Sequence, residues 1–279
     1  MSFSSSDRHS NRRKDIKQGR GREQRQKYDV NSSILLQNFS SFQKELDCRY
    51  DKRERIVKLN RDTTIASKRL IFQLHRSSDD EENLPKLLQD AHSKVIEIKG
   101  FLEKIAMELV DDDPCKFAAA YSGGIQEYVE AVTFYNFIRD NTLLSYEDFC
   151  KMYLSDEKEE GPKANILLTH LDYILGVADL TGELMRLCVN CIGVGNHEKC
   201  KEICNFLREV HSQFLFISGR GLKDLKDKAK VLKQSLEKVE AACYAVHVRG
   251  SEVPTHLLVD LINQRDASHD VDEPANEQS

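Results

Sequence analysis

The sequence has few of the features that mark β-structure, membrane insertion or secretion. No run of alternating β-branched residues is bounded by an Asn-Gly or Asp-Gly turn, and the five prolines all lie at the edges of helical patterns. No stretch reaches the 18 or more apolar residues of a membrane span, and the first residues lack the apolar core of a secretory signal. We therefore expect an all-helical, soluble, intracellular protein whose eight cysteines are kept reduced and that has no membrane partner.

Several catalytic signatures are also missing. The chain has no G-x-S-x-G element, no phosphate-binding glycine loop of the Walker type and no H-E-x-x-H pair. Cysteines at C-x-x-C and C-x-x-x-C spacing, with a histidine between them, do occur from Cys188 to Cys204. They fall on predicted helices, whereas structural zinc sites usually begin with a tight turn, so we interpret them as buried thiols rather than zinc ligands.

Charge is distributed unevenly along the chain, which has a net charge of −5. Residues 1–30 carry nine Lys or Arg and four Asp or Glu, whereas residues 266–279 carry five acidic residues and no Lys or Arg. Both segments have few apolar residues, so we predict two disordered tails around one helical domain at residues 31–265. The basic tail resembles a nuclear-import signal, although a generic basic tail has the same composition. We expect the protein in the cytoplasm and the nucleus.

Apolar residues at three-and-four spacing predict a single bundle of about seven helices. We place these helices at residues 33–76, 85–110, 114–139, 145–154, 166–192, 197–217 and 222–248. A short last helix is predicted at residues 254–262, and residues 155–163 are predicted to form a surface loop.

The most informative feature is two pairs of acidic residues, each holding the only charges of an apolar helical stretch. The four residues, called the acidic quartet below, are Glu127, Glu130, Asp179 and Glu183. Their stretches cover residues 117–138 and 173–185, although 31% of the whole chain is charged. Because residues three or four apart share one face of a helix, the two carboxylates of each pair project together.

Neighbouring carboxylates in apolar surroundings repel each other unless a cation lies between them. No Lys or Arg lies inside either stretch, and carboxylate oxygens are hard ligands, which favours Mg²⁺ or Mn²⁺ over zinc. The alternative is that the pairs face solvent, which is the more common fate of a helical acid pair. The sequence alone does not show whether the two helices meet.

Basic residues of the first helix are candidate contacts for a polyanionic substrate. From Thr63 to Arg76 this helix carries only positive charge, with Lys68 and Arg69 between. Phosphate contacts dominate affinity for nucleic acids, so we predict that Lys68, Arg69 and Arg76 hold the phosphates of such a substrate. A solvated helix face is the alternative.

The chain contains four distinctive segments, which read FQKELDCRYDKRERIVKLNRD, GGIQEYVEAVTF, YILGVADLTGELMRLCV and LKQSLEKVEAACYAVHVRGSEVP. These segments resemble the translin family, and the likeness covers about residues 31–265. The resemblance implies an all-helical bundle, in agreement with the helical periodicity. The acidic quartet distinguishes two members of this family, because the sister protein, translin, is similar in fold but lacks these acids. The resemblance therefore implies the member that carries the quartet.

The resemblance implies a catalytic subunit of a Mg²⁺-dependent endoribonuclease that is active only in complex with translin, within a hollow hetero-octamer. Such complexes degrade nicked passenger strands during activation of the RNA-silencing complex and take part in transfer-RNA processing. Single-stranded RNA is the expected substrate, and single-stranded DNA is a further expected ligand.

The catalytic acids of the family match Glu127, Glu130, Asp179 and Glu183 of this chain. We assign Glu130 and Glu183 as direct Mg²⁺ ligands, with the other two completing the ligand set or orienting the attacking water. No histidine lies near either acidic pair in the sequence, so we expect a metal-activated water rather than a side-chain base. The alternative function is a non-catalytic nucleic-acid-binding or scaffold subunit that joins translin and nuclear DNA-repair factors.

Overall fold

The computed structural model describes residues 34–78, 83–110, 112–154, 166–217 and 223–249, and within these ranges it contains seven α-helices and no β-strand. The helices are α1 (Ile34–Leu74), α2 (Leu84–Glu108), α3 (Ala118–Asp140), α4 (Tyr146–Phe149), α5 (His170–Gly193), α6 (His197–Ile217) and α7 (Lys223–Arg249). Two 3₁₀ turns, His75–Ser78 and Pro114–Lys116, follow α1 and precede α3, and a π-helical segment, Cys150–Leu154, extends α4. The all-helical fold class is confirmed.

Several sequence-based predictions lie outside the described residues. These concern the basic tail at residues 1–30, the loop at 155–163, the short helix at 254–262 and the acidic tail at 266–279. The domain boundaries at residues 31 and 265 fall there too, so all of these remain predictions. Among the described helices, none combines the length and the apolar character needed to cross a bilayer.

The chain divides into two compact units, residues 1–47 and residues 48–279. In the first unit, the described residues are the first part of α1, and every one of them is exposed. Its exposed apolar side chains are Ile34, Leu35, Leu36, Phe39, Phe42 and Leu46. The described residues of the first unit therefore form no hydrophobic core that buries these apolar side chains.

The core of the second unit is built around α5, which packs against α3, α6 and α7. Helix α2 packs on α3, and the 3₁₀ turn at His75–Ser78 contacts α5. The fully buried apolar side chains include Ile56, Leu70, Ile98, Tyr128, Phe134 and Leu184. Because α3 and α5 are buried on most sides, Glu127, Glu130, Asp179 and Glu183 are all buried or only partly exposed.

Local capping residues set two of the helix starts. The Asp113 carboxylate accepts a hydrogen bond from the Cys115 N–H at 3.0 Å and caps a 3₁₀ turn, so the helix predicted from residue 114 begins only at Ala118. The Thr169 hydroxyl accepts from the Asp172 N–H at 3.0 Å and starts α5 at His170. The predicted start at Ile166 was too early, because the buried apolar residues ahead of the cap continue the helical pattern.

Two glycines allow the helices around the acidic quartet to approach closely. The Gly124 N–H donates to Oδ1 of Asn60 at 2.9 Å, and a Cβ at Gly124 would lie 2.1 Å from that oxygen. A Cβ at Gly176 of α5 would lie 2.7 Å from Cβ of Val129 and 2.8 Å from the carbonyl oxygen of Gln126, both on α3. Backbone contact at Gly176 thus fixes the distance between the two acid-bearing helices.

Candidate functional site

The structure brings together the two acidic pairs that the sequence could only place on separate helices. Helix α3 carries Glu127 and Glu130, helix α5 carries Asp179 and Glu183, and the two helices pack against each other. The charges of the other three acids all act on Glu130. The acidic quartet is therefore one electrostatic cluster.

Glu130 is the most buried member of the quartet, with 8% of its surface exposed. None of the described residues forms an ion pair or a hydrogen bond with its side chain. Burial, followed by repulsion from Asp179, Glu127 and Glu183, raises the pKa of Glu130 from 4.5 to about 8, although Lys228 acts in the opposite direction. A carboxylate in this setting is stabilised either by a proton or by a cation.

Two lysines neutralise two of the outer acids. Nζ of Lys68 on α1 lies 3.0 Å from Oε1 of Glu127, and Lys228 on α7 forms an ion pair with Asp179. The hydrogen bond to Glu127 and its charge raise the pKa of Lys68. Sequence reasoning missed Lys228 entirely and assigned Lys68 only to RNA, because both lie far along the chain from their partners. Lys68 therefore lies beside the quartet as well as on the basic face of α1.

A histidine also contacts the quartet, and no local signal in the sequence predicted this contact. His75 begins the 3₁₀ turn after α1, and its Nε2 lies 2.5 Å from Oε2 of Glu183. Burial acts to raise the pKa of Glu183, but the hydrogen bond from His75 and the charge of Arg186 outweigh it and lower that pKa. The expectation that no histidine lies near either pair is wrong, because the contact joins residues 108 positions apart.

The quartet offers only oxygen ligands, and its buried member has no described partner, which fits a hard divalent cation such as Mg²⁺. Among the described residues, however, no three His, Cys, Asp or Glu side chains are arranged to hold an ion. Two ion pairs account for this, since Lys68 holds Glu127 and Lys228 holds Asp179. A bound cation would require these two carboxylates to exchange partners.

The three predicted RNA contacts line one surface groove of about 610 Å³. Lys94 of α2 adds a fourth cation that the sequence did not single out. The complete lining is Ile65, Lys68, Arg69, Phe72, Gln73, Arg76 and Lys94. The Phe72 side chain is 76% exposed. Cations beside an exposed aromatic ring are the combination that binds phosphates and unpaired bases.

The cysteines from Cys188 to Cys204 contribute to packing between α5 and α6. Cys188, Cys191, Cys200 and Cys204 are all buried free thiols, so the predicted burial is confirmed. The Cys200 thiol donates to the carbonyl oxygen of Cys188 at 3.5 Å. These side chains act as small apolar groups that join the two helices.

Comparison with known proteins gives consistent matches. The model of the Translin family matches residues 51–250. Translin-associated protein X of Rattus norvegicus is 42% identical over 257 residues, which cover 87% of this chain and 88% of the rat protein. The translin-associated protein X homolog of Schizosaccharomyces pombe is 35% identical over 222 residues, covering 78% of this chain and 90% of that protein.

Solved structures share the fold. The structure of the AfC3PO–duplex RNA complex matches with a TM-score of 0.61 and 17% identity, covering 77% of this chain and 100% of that one. At this identity the likeness concerns the arrangement of the helices alone.

Proposed function

Because the chain belongs to the translin family, we propose that it is the catalytic subunit of a Mg²⁺-dependent endoribonuclease that works in complex with translin. The proposed substrate is single-stranded RNA, including passenger strands in RNA silencing and precursors of transfer RNA. The proposal places this activity in the cytoplasm and the nucleus. Its main support is the acidic quartet with the buried carboxyl of Glu130, which has no partner among the described residues.

The quartet differs from a structural ion-pair network. In such a network the most buried charge has the best partner, because an unpaired charge away from water is costly. Here the partly buried members are paired, whereas the most buried member, Glu130, has no partner among the described residues. A buried acid with a strongly raised pKa among other acids is typical of a functional site.

Each acid has a proposed role. Glu130 and Glu183 bind the cation directly, and Glu127 with Asp179 completes the ligand set or orients the attacking water. Mg²⁺, when bound, lowers the pKa of water and stabilises the charge that develops on the scissile phosphate. Lys68, which lies between the quartet and the groove, holds the RNA backbone next to the acids.

Nuclease assays of the purified complex with translin test this function. We expect labelled single-stranded RNA to be cleaved with Mg²⁺ present and to stay intact with a chelator, since the proposed chemistry needs the cation. A complex that binds RNA but does not cleave it with either Mg²⁺ or Mn²⁺ would favour the alternative function. In that alternative the chain is a nucleic-acid-binding or scaffold subunit that joins translin and nuclear repair factors.

Exposed apolar surface supports the proposed partnership. The rat relative is named for its association with translin. In this chain, residues 34–46 of α1 include several exposed large apolar side chains. The side chains of Leu215 and Phe216, near the end of α6, are also exposed. Apolar surface of this kind on a soluble protein usually marks a protein interface. We propose that translin covers the apolar face of residues 34–46.

Two charges placed on this face should prevent assembly. The rings of Phe39 and Phe42 lie 6.2 Å apart and are exposed. If translin buries both, Phe39→Asp with Phe42→Asp should weaken association by about a hundredfold or more, since a buried Phe contributes about 1.5–3 kcal/mol. Size-exclusion chromatography with translin measures the loss. The matched control is Ser40→Asp with Gln43→Asp, and equal co-elution of both double variants would contradict the assigned interface.

The basic residues that line the groove lead to a separate prediction about RNA affinity. Arg69→Ala with Arg76→Ala should weaken RNA binding equally for all sequences, because phosphate contacts carry no sequence information. The slope of log K against log salt should fall by about 1.4, at about 0.7 for each lost contact to a single strand. Fluorescence anisotropy at several salt concentrations measures this slope. The exposed Lys233 lies outside the groove, so Lys233→Ala is the control, and an unchanged slope in the double variant would remove the groove from the RNA path.

A further inference from the structure

His75 contacts both helices that carry the acidic quartet. Its Nε2 lies 2.5 Å from Oε2 of Glu183 on α5, and its ring centroid lies 5.0 Å from that of Phe134 on α3. Phe134 is one helical turn beyond Glu130, so it belongs to the same face of α3. The side chains of His75 and Glu183 are only 10% and 15% exposed, which leaves the imidazole little freedom to move.

The contact selects one oxygen of the Glu183 carboxylate. A carboxylate only accepts hydrogen bonds, so Nε2 of His75 is the donor. Nη1 of Arg186 approaches the same Oε2 at 3.4 Å. Both contacts described for this carboxylate are therefore made by Oε2, and none is described for Oε1.

We propose that His75 is a positioning residue of the acidic quartet, which holds Glu183 by Oε2 so that Oε1 binds the divalent cation. The inference rests on the proposed Mg²⁺-dependent cleavage. Carboxylates that bind metals are themselves usually hydrogen-bonded, and loss of such an outer partner commonly reduces metal affinity or activity by about 10- to 100-fold. His75 has this relation to Glu183, whereas Lys68 and Lys228 hold the acids that complete the ligand set.

Three variants of the full chain, each purified in complex with translin, separate positioning from packing. His75→Leu keeps bulk but removes the donor, and His75→Gln keeps an amide N–H near the position of Nε2. His75→Asn carries an amide too short to reach Glu183. The exposed His92 of α2 provides the control His92→Leu. Mn²⁺ affinity is measured from the electron paramagnetic resonance signal of free Mn²⁺, together with kcat and KM for single-stranded RNA.

We expect His75→Leu to weaken Mn²⁺ binding by about 10- to 100-fold and to lower kcat at fixed metal, because Glu183 is no longer held. KM for RNA should stay within about threefold, since positioning acts on the chemical step rather than on RNA binding. His75→Gln should recover most of the metal affinity. If His75→Leu fails to fold, the same contrast is expected between His75→Gln and His75→Asn.

Two results would overturn the role of His75. One is wild-type Mn²⁺ affinity in folded His75→Leu or His75→Asn, and the other is a His75→Gln variant that is as impaired as they are. Failure of the proposed function gives a different result, because the wild-type complex itself would then bind no Mn²⁺ or cleave RNA without it. Altered Mn²⁺ affinity in His92→Leu would also count against a role specific to His75.

Discussion

Glu130→Gln is expected to reduce RNA cleavage by at least about a thousandfold while leaving the protein as stable as the wild type or more so. The loss follows because a bound cation supplies several kcal/mol of transition-state stabilisation, and each 1.4 kcal/mol, approximately, is a factor of ten in rate. RNA affinity should survive, since the substitution leaves the basic residues of the groove intact. The substitution keeps the size of the side chain and removes its ability to ionise.

The stability gain should depend on pH. In the folded protein the pKa of Glu130 is raised from 4.5 to about 8, whereas in the unfolded chain it takes its ordinary value. The folded state therefore holds this proton more tightly, and the stability that Glu130 contributes is fully present below about pH 4.5 and is lost as pH rises toward about 8. Without metal, the free energy of unfolding of the wild type should therefore fall between these two pH values by up to about 5 kcal/mol more than that of Glu130→Gln.

Urea unfolding in chelator at pH 5 and pH 8, measured beside cleavage rate and RNA affinity, tests both parts. Glu237→Gln changes an exposed acid of α7 and should match the wild type in all three measurements, because exposed ion pairs contribute little. Loss of stability, RNA binding and cleavage together in Glu130→Gln would favour a structural role for the quartet. Stability that falls equally with pH in the variant and the wild type would contradict the raised pKa.

Glu183→Ala should also stop cleavage, but with a cost in stability. The substitution removes the acceptor of the His75 hydrogen bond, and a buried donor left without an acceptor costs about 1–3 kcal/mol. The two members of the quartet thus differ. Burial and repulsion destabilise the charged form of Glu130, whereas a hydrogen bond from His75 stabilises the charged form of Glu183. Equal melting temperatures of the Glu130→Gln and Glu183→Ala complexes would argue against this difference.

Gly176→Ala is expected to destabilise the protein by about 1–3 kcal/mol and to reduce cleavage, because it overpacks the contact between α3 and α5. The new Cβ would meet Cβ of Val129 at 2.7 Å and the backbone oxygen of Gln126 at 2.8 Å, and neither atom is the end of a flexible side chain. Alanine favours a helix over glycine by about 1 kcal/mol, which offsets only part of this cost. The helices must separate, and the distance between Glu130 and Asp179 changes with them.

Gly182→Ala is the matched control on the same helix, since a Cβ there would have no atom within 4 Å. It should stabilise the protein by up to about 1 kcal/mol through helix propensity alone. Thermal melting and cleavage rate compare the two variants. If Gly176→Ala melts and cleaves like Gly182→Ala, the close approach of the helices does not control the geometry of the quartet.

Local patterns in the sequence were enough to place most helices and to select the candidate site residues. The helical period and the capping side chains are local, so helices six and seven and the end of α3 were placed to within a residue or two. An apolar stretch that contains two acids and no Lys or Arg is also visible in the local sequence. Helix geometry then puts the two acids on one face. That is why all four acids of the quartet could be selected before any contact was known.

How the acids meet, and which of them has no partner among the described residues, depends on packing between distant parts of the chain. That α3 and α5 touch at Gly176, that Lys68 and Lys228 neutralise two of the acids, and that His75 holds Glu183 are contacts between residues far apart along the chain. An apolar stripe specifies that a helix face is buried but not which helix covers it. Side chains brought in by a neighbouring helix therefore leave no local signal in the sequence, and they are the ones that set the charge and position of each carboxylate here.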